Sequence, residues 1–289
     1  MKWKITAQES RVQLLTFLTT KLEYSRKKLK QALDANLCVV NGAVERFGTI
    51  FLKPGDWVDL DVKKMEMILS QHSTQTFEIE PSRILYEDDA ILIYNKPSGI
   101  SSDEKGLSNL FKDYLLVHRL DKDTSGVILF AKSEKIRKYF VELFKQGAVR
   151  KEYFAVVDGV PQENSGIIEN SLGKLHSYDG QSLWGAVRSG RGKEAQTKWK
   201  CKKRGKKASL MQCFPLTGRT HQIRVHLKEL GHPILGDYQY ARIFRCPFRP
   251  SRCMLHAHKL SFSHPISGKL LTFAAPIPSD FDEVMKRVL

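Results

Sequence analysis

Apolar residues recur at helical spacing near the start of the chain, in the segment VQLLTFLTTKL. They fall three or four positions apart, which predicts an amphipathic helix, and they are Val12, Leu15, Leu18 and Leu22. A second set at the same spacing follows in RKKLKQALDANL, and its members are Leu29, Leu33 and Leu37. Ser25 precedes this second set, and a serine in that place is typical of a helix N-cap. We therefore predict two consecutive helices.

Turn signals and an alternating strand come after these helices. The Asn-Gly pair at 41–42 favours a two-residue hairpin turn, and the Pro-Gly-Asp turn at 54–56 precedes WVDLDV, in which apolar and polar residues alternate as in a strand. No clear period follows until about Phe77. The pattern predicts a small domain of two helices and a small sheet, a linker, and a larger domain. Their predicted bounds are 1–65, 66–80 and 81–289.

Short apolar runs alternate with polar clusters in the larger part of the chain. We predict two strands around a turn from ILYEDDAILIYNKPSG, a buried strand from GVILFAK and another strand from KEYFAVVDG. An amphipathic helix is predicted from SEKIRKYFVELFKQG, with the glycine as its end. No glycine-rich nucleotide-binding loop follows a strand. The predicted fold class is mixed α+β, with a largely antiparallel sheet and flanking helices.

The net charge indicates the kind of partner that the protein binds. The 289 residues carry 47 Lys and Arg against 31 Asp and Glu, a formal net charge of +16. Residues 1–70 hold 12 of the basic residues and 8 of the acidic ones, so the positive excess extends over both predicted domains. A soluble protein this basic most often binds nucleic acid, although general surface solubility would also account for the charge. If RNA is the partner, we expect both domains to contact it.

Several other classes of protein are disfavoured. No apolar run approaches the roughly 20 residues that span a bilayer, and MKWKITAQESR contains no apolar signal core. The five cysteines are scattered and form no CxxC pair, so we expect a reducing, cytoplasmic location. One group within thirteen residues invites a zinc interpretation, but its spacing matches no standard site and we predict no metal. Its members are Cys246, Cys253, His256 and His258.

Basic side chains crowd the first turn of the second predicted helix. They are Arg26, Lys27, Lys28 and Lys30. Cations there oppose the helix macrodipole, and a bound phosphate would relieve the conflict. A solvated basic face is the alternative, and we predict RNA binding. The order of helix, basic helix, VNG hairpin and PGDWV strand resembles the alpha-L RNA-binding domain named after a small-subunit ribosomal protein, over about residues 10–65.

Candidate catalytic residues lie in loops of the larger part. Asp121 lies in HRLDKDTSG, where the bland alternative is a carboxylate that satisfies backbone N–H groups of its own turn. LTGRTHQIRVHLKELGH predicts a helix with Thr220 as N-cap and Arg224 near its start, where the guanidinium could meet a carboxylate from another loop. KEYFAVVDG supplies Tyr153 on a strand, and NKPSG supplies Lys96 beside a rigid turn.

These four segments resemble the RluA-type pseudouridine synthases over about residues 84–278. The match lies in YNKPSG at 94–99, HRLDKDTSG at 118–126, KEYFAVVDG at 151–159 and LTGRTHQIRVHL at 216–227. GHPILGD and LHAHKLSFSHP then follow in the order of that family. This chain has ISSDEKG where many relatives continue with a VVHP run.

The resemblance implies that the protein isomerises uridine to pseudouridine within RNA. Large-subunit ribosomal RNA is the favoured substrate and transfer RNA the second, and we expect a monomer. Asp121 would be the essential carboxylate, acting as a nucleophile on the sugar or the base, or as a base that takes a proton from the sugar. Each role needs its ionised form, and a guanidinium such as that of Arg224 typically lowers a carboxylate pKa by about 1–3 units.

The resemblance also implies how the target base is handled. Arg119 would fill the space that the extruded base vacates, because the reacting atoms are inaccessible in a stack. Tyr153 would stack on the uracil or exchange protons with it. Lys96 and Ile223 complete the implied substrate site, Lys96 by holding a phosphate or by supporting Asp121. For His118 we predict a structural hydrogen bond rather than acid–base chemistry.

The implied reaction is redox-neutral and releases nothing, so we expect no cofactor. Two alternatives from other classes stay open at this point. A catalytically silent RNA-binding or ribosome-assembly factor would keep the fold, but the joint presence of Asp121, Tyr153 and Arg224 counts against it. An RNA-directed hydrolase would need metal ligands or a nucleophile triad, and the sequence suggests neither.

Overall fold

The computed structural model describes residues 1–72, 79–103, 106–178, 181–188 and 190–289. They form two compact units. The described residues of unit 1 fall within Met1–Thr76, Lys174–Trp184 and Tyr238–Phe244, and those of unit 2 within Phe77–Gly173, Gly185–Asp237 and Arg245–Leu289. No helix among the described residues is both long and apolar enough to cross a bilayer.

The described residues of unit 1 form three helices and a four-stranded sheet with the order β1-β4-β2-β3. The elements are β1 (Lys2–Lys4), α1 (Leu14–Lys21), α2 (Arg26–Asp34), β2 (Cys38–Val40), β3 (Ala43–Val44), β4 (Trp57–Leu60) and α3 (Val62–His72). The predicted capping is present, because the Ser25 hydroxyl accepts a hydrogen bond from the backbone N–H of Lys28 at 3.4 Å. Asn41 and Gly42 both have positive φ (51° and 83°), as the predicted hairpin turn requires.

The segment after β4 differs from the prediction. Residues 66–72 were predicted as part of a linker without regular period, and they continue α3 instead. The reason is burial: Met65 is 1% exposed and joins the core of unit 1, so the chain gains apolar contacts by staying helical beyond the strand. Residues 73–78 of the predicted linker lie outside the described residues, and the domain bounds themselves stay predictions.

The strands of unit 2 follow the order β10-β12-β13-β9-β14-β8-β6-β5, with β15 beside β14 and β7 beside β8. β10 contributes residues 165–173 to unit 2, whereas residues 174–178 of β10 and 181–184 of β11 fall in unit 1. Wherever register is described, the pairs are antiparallel except β14 with β8. The fold is therefore mixed α+β with a largely antiparallel sheet, as predicted. The strands are β5 (Ile84–Glu87), β6 (Ile91–Lys96), β7 (Leu115–Leu116), β8 (Ser125–Ala131), β9 (Arg150–Asp158), β10 (Ser165–Tyr178), β11 (Gln181–Val187), β12 (Lys193–Arg204), β13 (Ala208–Pro215), β14 (Leu255–Ser263) and β15 (Leu270–Ala274).

Four helices accompany this sheet. They are α4 (Leu107–Leu110), α5 (Glu134–Lys145), α6 (Gln222–Glu229) and α7 (Ser279–Val288). The amphipathic helix predicted from SEKIRKYFVELFKQG is α5, which Ser133 caps by accepting the N–H of Ile136 at 3.3 Å and which ends before Gly147 at φ 70°.

Strand β8 fixes the position of the loop that carries the candidate carboxylate. Every residue of β8 is buried, which agrees with its continuous apolar run. Gly126 has φ 116°, and a Cβ at that position would lie 2.1 Å from the carbonyl oxygen of Ala257 on β14. Glycine is therefore required where β8 pairs with β14, and this close pairing holds the end of the HRLDKDTSG loop against the centre of the sheet.

Candidate active site

Asp121 lies in a loop that is tied down on both sides. Its backbone carbonyl accepts the N–H of Thr124 at 3.0 Å, which closes a turn immediately before β8. The next residue, Lys122, accepts the N–H of Gly99 at 2.9 Å through its carbonyl, and the Ser98 hydroxyl donates to the carbonyl of Asp123 at 3.0 Å. The NKPSG turn and the HRLDKDTSG loop therefore form one rigid support for the carboxylate.

The carboxylate of Asp121 pairs with Arg224 on the first turn of α6. Nη1 of Arg224 lies 3.1 Å from Oδ2 of Asp121, so the predicted meeting of a helix guanidinium with a loop carboxylate is present. The alternative of a carboxylate occupied within its own turn is not what the described residues show, since its side-chain contacts are with Arg224 and His221. About 30% of the Asp121 side chain stays exposed, which leaves room for a reacting group.

Arg224 also pairs with a second carboxylate, for which no role was predicted from the sequence. Asp237 accepts hydrogen bonds from Nε and Nη2 of Arg224, both at 2.7 Å, in a two-pronged arrangement. Asp237 is 1% exposed and Arg224 is 7% exposed, so the pair is taken out of water. Three side chains thus form the Asp121–Arg224–Asp237 cluster, in which two carboxylates share one guanidinium.

Electrostatics within this cluster keep Asp121 ionised. Burial on its own would raise the pKa of the Asp121 carboxyl, but the charge and the hydrogen bond of Arg224, together with smaller effects of His221 and Lys96, hold that pKa below its ordinary value. The neighbouring carboxylates in turn raise the pKa of Arg224 well above its usual range, against the effect of burial. The cluster therefore presents a carboxylate, not a carboxylic acid, at neutral pH.

Tyr153 lies on β9, close enough for the charge of Asp121 to act on its phenol. Burial, and then the negative charge of Asp121, raise the pKa of the Tyr153 hydroxyl well above its ordinary value. The hydroxyl is therefore protonated at neutral pH, and the side chain can stack or donate a hydrogen bond but is a poor base.

The start of α6 differs from the prediction. Thr220 was predicted as the N-cap, and that prediction is wrong: His221 occupies the cap with φ 56° and makes no side-chain capping bond. The Gln222 side chain holds the loop before the helix instead. Its Oε1 accepts the N–H of Arg219 at 3.0 Å and the hydroxyl of Thr217 at 2.6 Å. This arrangement places Nε2 of His221 3.8 Å from Oδ1 of Asp121.

His221 enters the site as a neutral ring that sequence reasoning missed. Burial and the charge of Arg224 lower the pKa of His221 to about 4, although the two carboxylates of the cluster act in the opposite direction. A neutral imidazole beside Asp121 can donate or accept one hydrogen bond without adding charge. Its position at a helix cap with positive φ is a property of the folded loop that no local sequence signal indicates.

Lys96 lies in the site region but faces inward. It is fully buried, and its ammonium donates to the carbonyls of Pro97, Ile100 and Lys122 at 2.9, 2.8 and 3.1 Å. A direct contact with a substrate phosphate does not fit this geometry, because all three donor directions end on backbone carbonyls. The contact to Lys122 fits the other predicted role, support of the loop that carries Asp121.

Arg119 and Ile223 border the cluster in different ways. Arg119 is exposed, and within the described residues its guanidinium forms no ion pair or hydrogen bond, so it is available to a ligand. Its neighbour Leu120 is 6% exposed, so the chain turns from an exposed to a buried residue immediately before Asp121. Ile223 follows His221 on α6 and is 6% exposed, so only a small part of its surface is open to a bound base.

His118 has a structural place. Its Nε2 accepts the backbone N–H of Leu129 at 3.1 Å, and its ring packs on that of Phe144 with centroids 5.1 Å apart. Burial, and then the charge of Lys151, lower the pKa of His118 to about 3. The ring is therefore a neutral acceptor between β8 and α5, which agrees with the predicted structural hydrogen bond.

Two further sets of predicted residues lie elsewhere. Arg26, Lys27 and Lys28 are exposed at the start of α2 in unit 1, and Lys30 is half-buried one turn later. Of the cysteine–histidine group, His256 contacts the Ser125 hydroxyl through Nδ1 at 3.0 Å.

Comparisons with known proteins point in one direction. A family model described as RNA pseudouridylate synthase matches residues 90–229. The chain is 31% identical over 283 residues to an uncharacterized RNA pseudouridine synthase of Synechocystis sp., covering 91% of this chain and 84% of that protein. It is 32% identical over 303 residues to the ribosomal large subunit pseudouridine synthase D of Zymomonas mobilis, covering 95% and 92% of the two chains. A solved structure of human RNA pseudouridylate synthase domain containing 1 is similar with a TM-score of 0.60 and 28% identity, over 72% of this chain and 90% of that one.

Proposed function

The chain belongs to the RNA pseudouridylate synthase family, and from this premise we propose that it isomerises specific uridines of large-subunit ribosomal RNA, with Asp121 as the essential carboxylate. The observation that carries the proposal is the Asp121–Arg224–Asp237 cluster, in which a partly exposed carboxylate is held ionised at the entrance of a buried ion pair. The similarity to the ribosomal large subunit pseudouridine synthase D of Zymomonas mobilis supports the choice of RNA.

The chemistry explains why a carboxylate is needed. In the reaction the bond between the sugar and N1 of uracil breaks, the base turns, and a bond from the sugar to C5 forms while C5 loses its proton and N1 gains one. Asp121 can open this sequence by attacking the sugar, by attacking the base, or by taking a proton from the sugar. All three openings start from the ionised form, which Arg224 maintains.

Arg224 and Tyr153 complete the proposed catalytic group. Arg224 fixes the direction of the Asp121 carboxylate, because one edge of its guanidinium donates to Oδ2 while the other is locked by Asp237. Tyr153 offers an aromatic face or a hydroxyl proton to the uracil. It enters the reaction as a donor rather than as a base, since its pKa is raised.

Arg119 is the proposed residue of base extrusion. Removal of a nucleotide from its stack costs a few kcal/mol, which a side chain in the vacated space offsets in part. The exposed guanidinium of Arg119, two residues before Asp121 in the chain, has the flat shape and the donors for this place.

We assign RNA capture in unit 1 to the basic start of α2. Three exposed basic side chains, Arg26, Lys27 and Lys28, lie in the first turn of the helix, where the macrodipole favours phosphate. The resemblance of residues 10–65 to an alpha-L domain supports this assignment.

The direct test replaces one carboxylate of the loop at a time. Asp121→Asn keeps the size of the side chain and removes its charge, so we expect no pseudouridine from the pure variant while RNA affinity changes little. Asp123→Asn is the matched control, because it alters a carboxylate of the same loop that is not part of the cluster, and it should keep activity. Substantial turnover by Asp121→Asn would remove Asp121 from the reaction.

The RNA is identified by a separate measurement. Pseudouridines are mapped in total cellular RNA with and without the protein, and the sites that disappear name the substrate. Sites in large-subunit ribosomal RNA support the proposal. Sites in transfer RNA would overturn the choice of substrate but not the reaction.

A further inference from the structure

Six lysines crowd the hairpin formed by β12 and β13 in unit 2. The segment KWKCKKRGKK at 198–207 contains no acidic residue, and all six lysines are exposed: Lys198, Lys200, Lys202, Lys203, Lys206 and Lys207. Across the described residues, none of their ammonium groups has an ion-pair or hydrogen-bond partner. Like charges at this density repel one another, so this surface is stabilised when a polyanion lies against it.

Three of these lysines form a straight row, which we call the lysine row: Lys198, Lys200 and Lys203. The alternation of β12 buries Trp199 at 3% exposure and turns Lys198 and Lys200 outward. A bulge then shifts the register between Cys201 and Lys203. The bulge matters because a strict alternation would turn residue 203 inward.

The register of β13 shows that the row stays on one face. Lys198, Lys200 and Lys203 pair with Phe214, Gln212 and Leu210, which are themselves two positions apart. Paired residues share a face of the sheet, so the three lysines follow each other along the strand in one line. Residues two apart in a strand are separated by about 6.6 Å, which makes the row an extended strip of charge rather than a point.

The hairpin is rigid at its tip. Gly205 donates its N–H to the carbonyl of Ala208 at 2.9 Å, and Gly159 donates to the carbonyl of Lys207 at 2.8 Å. Arg204, the one arginine of the segment, donates to the carbonyl of Glu163 at 2.9 Å and so ties the hairpin to the start of β10. A Cβ on Gly205 would lie 2.2 Å from the carbonyl oxygen of Val288, so the end of α7 packs tightly against the turn. The backbone that carries the lysines therefore needs little ordering when a ligand binds.

The lysine row lies on the face of the sheet opposite to the proposed catalytic tyrosine. Tyr153 pairs with Cys213, and Cys213 pairs with Trp199, so these three side chains share one face. Lys200 pairs with Gln212, which pairs with Phe154, the next residue after Tyr153, on the other face. The row therefore points away from the nucleotide that reacts at Asp121.

We propose that the lysine row binds the sugar-phosphate backbone of an RNA element separate from the one that carries the target uridine. The inference rests on the proposed function in taking a large structured RNA as the substrate. Lysine ammonium groups neutralise phosphates without reading bases, so this surface orients a large RNA and carries no sequence preference. It makes the enzyme favour RNAs that extend beyond the target stem-loop.

The test neutralises the row in the full-length protein. The variant Lys198→Gln/Lys200→Gln/Lys203→Gln is compared with wild type and with a control that removes the same charge from exposed lysines elsewhere in unit 2. The control positions are Lys135, Lys138 and Lys269, which form no ion pair in the described chain. Affinity is measured against salt concentration for two RNAs, a full-length large-subunit ribosomal RNA transcript and a short stem-loop cut from it.

On the long transcript, loss of three phosphate contacts should reduce the slope of log affinity against log salt by about 2–3 for the row variant. On the stem-loop the slope should stay as in wild type, and the control should keep the wild-type slope on both RNAs. An unchanged slope on the transcript, or an equal change in the control, overturns the proposal. An equal loss on both RNAs overturns the separate element.

Pseudouridine formation on the transcript, measured in parallel, tests the proposed function on its own. A wild-type protein that binds the transcript but forms no pseudouridine in it would refute the choice of substrate. The binding comparison would still decide whether the lysine row contacts RNA, so the two failures remain distinguishable.

Discussion

Replacement of Asp237 by asparagine tests the least exposed residue of the Asp121–Arg224–Asp237 cluster. Both carboxylate oxygens of Asp237 lie 2.7 Å from nitrogens of Arg224, and the residue is 1% exposed. An amide keeps one acceptor but turns its own NH2 group toward a guanidinium N–H. One buried N–H then loses its partner, and the guanidinium is no longer locked at the edge away from Asp121.

The expected loss of stability comes from one unsatisfied buried donor, since Asp121 still balances the charge of Arg224. A buried donor without a partner costs about 1–3 kcal/mol, and each kcal/mol lowers the Tm of a domain of this size by about 2–4 °C. We therefore expect Asp237→Asn to melt roughly 2–12 °C below wild type. Asp280→Asn is the control, because Asp280 grips Arg252 with two contacts of 2.5 and 2.9 Å but is half exposed. Its Tm should fall by less.

Catalysis should fall for a separate reason. A misplacement of about 1 Å in a reacting group can reduce the rate about 100-fold, and Arg224 without Asp237 is free to move relative to Asp121. Single-turnover rates at saturating RNA should therefore drop by about two orders of magnitude in Asp237→Asn, with RNA affinity close to that of wild type. Asp280→Asn should keep most of its activity.

A double-mutant cycle in stability gives the sharpest check at pH 7. In wild type two carboxylates share Arg224, so loss of Asp121 alone leaves a neutral pair and costs little. In the Asp237→Asn background the same loss leaves an unpaired buried guanidinium. The double variant Asp121→Asn/Asp237→Asn should therefore be less stable than the sum of the single variants by about 0.5–3 kcal/mol, the range typical of side chains in one network. Additive losses would refute the shared-guanidinium account.

Three further outcomes are expected. Arg119→Ala should slow single turnover most on a well-stacked target uridine, and a mismatched target should recover part of the loss; equal loss on both RNAs would remove the extrusion role. Lys27→Gln/Lys28→Gln should reduce the slope of log affinity against log salt by about 1–2, measured by RNA binding, if both side chains contact phosphates. Burial lowers the pKa of Lys96 to about 7, whereas an unfolded chain has about 10.4, so the unfolded state binds more protons between these values and wild-type stability should rise with pH there. Lys96→Met should weaken this rise in urea titrations, and should destabilise the protein by leaving three carbonyls without their donor.

Local patterns predicted the elements whose causes are local. Ser25 caps α2, and the Asn-Gly pair forms the turn between β2 and β3. Each feature depends on a few neighbouring residues only. These two predictions hold because the interactions need only the right residue types at short spacing. The meeting of Asp121 with Arg224 was anticipated on a different ground, the motifs in which the two residues lie, since 103 positions separate them along the chain.

The failures have their causes in the folded chain. Thr220 has the chemistry of an N-cap, but the loop before α6 is shaped by Gln222, whose side chain already holds the N–H of Arg219. For Lys96 a phosphate contact and support of the Asp121 loop were both predicted; the turn at Gly99, with φ 91°, brings backbone carbonyls around the ammonium, which fits the second role and not the first. In both places a tertiary contact decided between two local possibilities.

Asp237 and the lysine row show a different limit. Asp237 lies thirteen residues beyond Arg224, outside any helical or strand period that would bring the two together, and only the path of the chain after α6 makes them partners. The lysines of KWKCKKRGKK are visible as an alternation, but a strand alone does not indicate which face of a sheet is free. The bulge after Cys201, which keeps Lys203 in line, is a property of the pairing with β13.

The distribution of charge separates the two tasks of an RNA-modifying enzyme. The chain carries a net charge of +16, and its exposed lysines and arginines attract phosphate over long distances through solvent, where salt screens them. The Asp121–Arg224–Asp237 cluster has the opposite sign. Two carboxylates around one guanidinium give a negative site, and burial reduces the screening of its charges by salt. A negative site disfavours a phosphate more than a neutral uracil. Under the proposed base extrusion, the surface would hold the backbone while the position next to Asp121 accepts the base turned out from it.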